Sequence, residues 1–183
     1  MRRDRLEGMT PSSLEPLILT ARMEPEAFER FDAQRRAFFP PERNFIPAHV
    51  TLFHSLPRKR TRGGHDPVGR GRDAHRANDG RGHRVAFPGA RRGVPAQHPQ
   101  LEALRSELAS GWRDVLTNQD RSGFKPHVTV QNKVAPLEAR ETLALLEARF
   151  RPWSFTVTGL ELWRYLGGPW EWLEAFEFTG SKP

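Results

Sequence analysis

Two short segments, Pro47-Ala48-His49-Val50-Thr51-Leu52-Phe53 and Lys125-Pro126-His127-Val128-Thr129-Val130-Gln131, constrain this chain more than anything else in it. Each sets a histidine and a threonine two residues apart among apolar neighbours, and the copies lie 78 residues apart. On a strand, side chains two apart leave the same face, so each segment offers an imidazole and a hydroxyl together while its valines point to the other side. A chain that repeats this pattern needs two comparable strands facing one another.

The surrounding pattern agrees. Leu14 to Met23 reads as a buried strand, and a helix begins at Pro25, carries Phe28, Phe31 and Phe38, and stops at Pro40-Pro41. Pro47 to Leu56 is the second strand. Leu101, Leu104, Leu108, Trp112 and Val115 form one helical stripe, ahead of a strand over Lys125 to Lys133 and a helix over Pro136 to Phe150. Trp153 to Tyr165 and Trp170 to Phe178 read as a closing hairpin across Gly167-Gly168. Strands and helices intermix, which predicts an α+β class built from a duplicated unit. Residues 1–13 read as a flexible N-terminal extension, and 14–183 as a single domain.

Residues 58–98 interrupt this order. They hold eight of the fifteen glycines and show neither a strand nor a helix period. The net charge of +7 also resides here: Arg58 to Arg92 carries a net +8 and the rest of the chain −1. Two readings stand. One is a disordered, basic arm of Arg-Gly type that binds RNA without catalysis. The other is a segment translated out of frame, since GC-rich codons for Pro88 to Pro99, shifted by one base, can encode a glycine turn followed by a strand. In either case the segment is expected to be disordered or poorly packed, with His65, His75, His83 and His98 solvated.

The absence of cysteine excludes disulfide scaffolds, thiolate metal sites and cysteine nucleophiles, and points to a reducing, cytoplasmic setting. No apolar run is long enough for a membrane span. No carboxylate or third histidine completes a metal set around His54, which on an unbroken strand faces away from His49. The chemistry therefore rests on His49 and His127. An imidazole titrates near 6.5, so one ring can be neutral and the other protonated at one pH, with hydroxyls of Thr51 and Thr129 donating to a phosphate's oxygens. Lys125 shares the face of His127 and could neutralise that phosphate. Arg43, Arg121 and Arg164 are further possible contacts, and Phe53, Phe124, Trp163 and Tyr165 could stack a base.

The segments AHVTLF and PHVTVQ resemble the paired His-x-Thr-x signatures of the 2H phosphoesterase superfamily, above all its bacterial 2′-5′ RNA ligase-like branch. The resemblance covers about residues 14–57 and 99–178. It implies a bilobal fold with antiparallel sheets flanked by helices around a central groove, each lobe giving one motif. It further implies metal-free, cofactor-free hydrolysis of 2′,3′-cyclic phosphates or 2′-5′-linked RNA ends, with RNA or a nucleotide cyclic phosphate as substrate. On the matching positions His49 becomes the proton donor and His127 the acceptor, with Thr51 and Thr129 holding the phosphate. A monomer is expected.

Overall fold

Leu17–Met23 (LILTARM) forms strand β1, and six of its seven residues are buried, as a central strand requires. β2 (Val50–Leu56) pairs with one edge of β1, and the 13-residue β4 (Trp153–Tyr165) with the other. Every pairing is antiparallel. β5 (Trp170–Glu177) returns along β4 through the expected hairpin, where Gly167 takes φ +85 and the Leu166 amide donates to Pro169 O at 3.0 Å. The result is a five-stranded antiparallel sheet in the order β2-β1-β4-β3, with β5 also on β4. The computed structural model describes residues 15–57, the backbone of 83–87, and residues 99–151 and 153–178.

Three of the four described α-helices lie where the apolar periodicity predicts them, and the short turn at Asn118–Arg121 is unexpected. α1 (Pro25–Phe38) starts on its proline and ends before Pro40-Pro41, with a 3-10 turn at Pro41–Arg43. α2 (Pro99–Gly111) buries Leu101, Leu104 and Leu108, and Trp112 follows it into the core, its ring edge-on to Phe53 at 4.9 Å. α3 (Asn118–Arg121) is a short turn capped by Thr117, whose hydroxyl accepts from the Asp120 amide. α4 (Pro136–Arg149) buries no residue fully. The α+β class is thus observed.

Two expectations are corrected. His83–Phe87, inside the stretch expected to lack order, is strand β3 and pairs residue for residue with Trp153 to Val157. The physical reason is length: β4 outruns β5 at its N-terminal end, where the β5 ladder stops at Gly159, and the unmatched backbone groups accept another strand. The remainder of 58–98, with its arm-or-frameshift alternatives, lies outside the described residues, as does the N-terminal extension. The second correction is that Lys125 to Lys133 is no strand. It meets β2 at one antiparallel bridge, Val50 to Val128. The ladder cannot lengthen because the next position on one side is Pro126, which has no N–H, and on the other the Ala48 amide is already given to Asp32 Oδ1 at 2.9 Å. Among the described residues there is therefore one sheet, and the second motif is an extended segment laid beside it.

Gly159 lets β5 close on β4. A Cβ there would lie 2.3 Å from the backbone oxygen of Phe176, so neither chain could keep its place. Gly159→Ala is expected to destabilise the fold by about 1–3 kcal/mol, the usual range for forced overpacking, measurable as a lower urea midpoint.

Candidate active site

The Val50–Val128 bridge sets the two motifs in register. In an antiparallel pair the flanking positions alternate, so His49 lies across from Thr129 and Thr51 across from His127, all four on the face opposite the valines. Along the first motif burial follows the same alternation, with Ala48, Val50 and Leu52 buried and His49 and Thr51 partly exposed. Val50 is inaccessible, and Val128 and Val130 line an apolar hollow of about 320 Å³ with Phe31, Phe38, Leu143 and Leu146. Two residues of α1, neither evident as a candidate from the motifs alone, hold this arrangement. Asp32 takes the Ala48 amide just before His49, and buried Arg35 donates through Nη1 to Thr129 O at 2.5 Å and through Nε to Asn44 Oδ1 at 3.1 Å.

The histidines share one local device. His49 Nδ1 lies 2.7 Å from Pro47 O and His127 Nδ1 lies 2.9 Å from Lys125 O. A carbonyl can only accept, so each ring keeps its proton on Nδ1 and is left with Nε2 for acid-base work. Their surroundings differ. His127 is exposed, whereas the His49 ring packs against Trp170 with centroids 4.7 Å apart. Burial is the main force on His49 and favours the neutral ring. The Pro47 carbonyl opposes it, the positive charges of Arg35, His127 and His54 add to it, and the balance lowers the pKa to about 4.

His54 does not face away. β2 carries register shifts against β1: Thr51 pairs with Thr20, but Phe53 pairs with Leu19, so Leu52 and Phe53 are both buried in succession. The extra residue reverses the alternation beyond it and returns His54 to the side of Thr51. A second register shift follows between Phe53 and Leu56, and Asp120 takes two amides of that stretch: Oδ1 accepts from His54 N at 2.8 Å and Oδ2 from Ser55 N at 3.0 Å. The His54 ring reaches the same carboxylate through Nδ1 at 3.2 Å. Burial of Asp120 works to raise its pKa, but the His54 ring and these two amides outweigh it and hold the carboxylate below its ordinary value.

Thr51, His54, Arg105, Phe124, Lys125 and His127 line one cleft of about 430 Å³. Thr51, Lys125 and His127 are thus brought together as expected from the motifs, while His49 and Thr129 sit beside the cleft rather than in its wall. A larger hollow of about 720 Å³ shares Arg105 and Asp120 with it, and includes Arg121, but holds neither motif. Of the other expected contacts, Arg164 is engaged with Glu171 at 2.6 Å, and Phe53 is core. Among the described residues no three His, Asp or Glu side chains converge as a metal set.

Residues 23–169 match the family model of the 2′-5′ RNA ligase superfamily. The chain belongs to that family of 2H phosphoesterases. Among solved structures, the protein TT0787 of Thermus thermophilus is 19% identical with a TM-score of 0.54, over 91% of this chain and 100% of that one, a likeness of fold. E. coli LigT, in a crystal structure with 3′-AMP, is 18% identical over 90% of this chain and 98% of its own, with a TM-score of 0.45. No curated protein matches in sequence. Phosphoester chemistry is therefore the general function of this family member, and no helix among the described residues is long and apolar enough to cross a membrane.

The His49 environment has a consequence for stability. Its folded pKa of about 4 lies below the roughly 6.5 of an unfolded imidazole, so between those values the unfolded chain binds the extra proton. Stability should fall as pH drops from about 6.5 and level off below about 4, by up to roughly 3 kcal/mol from this group. Urea unfolding of wild type and His49→Asn across that range measures it, and the stability of wild type relative to the variant should fall with acidity as the variant escapes this loss.

Proposed function

We propose that the protein is a metal-free phosphodiesterase that opens 2′,3′-cyclic phosphates or cleaves 2′-5′-linked RNA ends by paired histidine acid-base catalysis. The observation that carries this is the Val50–Val128 bridge, which brings His49-x-Thr51 and His127-x-Thr129 to one face with both Nε2 atoms unused by Nδ1 bonding. In this mechanism one imidazole removes the proton from an attacking water as its oxygen bonds to phosphorus. The other protonates the ribose oxygen as its bond to phosphorus breaks. Thr51 and Thr129 donate to the non-bridging oxygens, and Lys125 offsets their charge. The cationic cleft suits an RNA or nucleotide substrate, and the absence of cysteine suits a cytoplasmic enzyme.

The burial of His49 supports one assignment of roles in the hydrolytic direction. His49 is neutral in the free protein and so enters as the base, leaving His127 at the solvent as the acid. This reverses the roles that family resemblance implies, because a ring kept neutral by Trp170 and the core has no proton to give before substrate arrives. The acid limb of the kcat/KM profile for a 2′,3′-cyclic nucleotide should then fall near pH 4. A limb near 6.5 would show that another group is the base.

His49→Ala and His127→Ala should each lower turnover by about a hundred- to ten-thousandfold, the usual contribution of a positioned acid or base. Activity should persist in EDTA. Near wild-type rates in either variant, or loss in EDTA reversed by added zinc, would overturn the mechanism.

A further inference from the structure

His54 is not one of the family-motif positions, yet it lines the cleft together with His127. Its surroundings are built rather than incidental. Asp120, almost wholly buried, spends Oδ1 on the His54 amide and ring and Oδ2 on Ser55 N and the Thr117 hydroxyl at 3.2 Å. Arg105 donates to the backbone oxygen of the same residue. The carboxylate is thus fully occupied and fixed, and it holds Nδ1–H of the ring, which leaves Nε2 as the nitrogen free to meet a ligand. The side chain of His54 is 43% exposed, so a ligand can reach it.

Position narrows what that ligand is. His54 follows Thr51 by three residues, a distance of roughly 10 Å or less along a bulged strand. Besides Thr51 and His54, the cleft presents Arg105, Lys125 and His127, and its one carboxylate is already saturated. With Nδ1–H on the carboxylate, Nε2 donates only when the ring is an imidazolium, and an imidazolium in a cleft that also holds Arg105 and Lys125 matches a second anion.

We propose that His54, aimed by Asp120, binds a second phosphate of the substrate, so that the cleft takes a nucleotide carrying two phosphates: the reacting one at the His-x-Thr motifs and its neighbour at His54. This rests on the phosphodiesterase function proposed above and names the substrate class for it, an RNA-like chain in preference to an isolated mononucleotide.

Calorimetric titration with uridine 3′-monophosphate and uridine 3′,5′-bisphosphate tests it without relying on turnover. Wild type should bind the bisphosphate about tenfold more tightly, the worth of one charge-assisted hydrogen bond. In His54→Ala that ratio should collapse toward one, and His54→Gln, which retains an N–H donor, should keep part of it, with unfolding curves confirming that both variants are folded. Equal affinities in wild type, or a ratio that survives His54→Ala while both affinities fall together, would show that His54 only braces the bulge and would overturn the proposal. If neither nucleotide binds wild type, the phosphodiesterase reading falls with it.

Discussion

The geometry of this site depends on one buried cation. Arg35 sits on α1 with little access to solvent, and burial works against its charge while Asp32, one turn back, supports it. Removing a guanidinium from water is costly unless its donors are used, and here Nε goes to Asn44, Nη1 to Thr129 O, and the flat face of the group lies over Phe39 at 4.2 Å. The second motif has no sheet around it among the described residues, only a single bridge to β2. A single bridge would leave that segment free to pivot. Arg35 supplies the second point of attachment, and Asp32 fixes the residue before His49 from the same helix, so both motifs are referenced to α1.

A second constraint comes from β2 itself. A regular strand would have hidden His54 and left no use for Asp120. The extra residue at Leu52–Phe53 instead buries two large side chains in succession, one of them against Trp112, and thereby ties the site to the α2 side of the core. The His54 and Ser55 amides just beyond it would each cost roughly 1–3 kcal/mol if left unsatisfied. Asp120 answers both. The same residue that repairs the backbone also orients an imidazole at the cleft, so the strand and the ring are held by a single carboxylate.

The near-symmetry of the motifs stops at their surroundings. Both rings carry the same Nδ1 bond to the carbonyl two residues back, which a proline beside each motif helps to place. Only His49 is then covered by Trp170, which itself lies 6.2 Å from Trp163, whose indole donates to Thr20 on β1. Identical local sequence thus yields a ring held neutral on one side and an exposed ring on the other. That difference is the basis of the acid and base roles proposed above.

Much of this was legible in the chain alone. The paired His-x-Thr segments, the proline-bounded α1, the stripe from Leu101 to Trp112 and the β4–β5 hairpin all follow from local periodicity and from residues that cannot continue an element, which are properties of neighbours in sequence. The candidate residues His49, Thr51, Lys125, His127 and Thr129 stand out for the same reason. What tertiary structure decided were the long-range partnerships: Arg35 with Thr129, Asp32 with Ala48, Asp120 with the β2 bulge, Trp170 over His49, and β3 on the free end of β4. None has a sequence period to announce it. Asp32 and Arg35 read as one more polar face of a helix, and the bulge that turns His54 toward the cleft arises only when β2 is fitted to β1, because register is a property of two strands together and of neither alone.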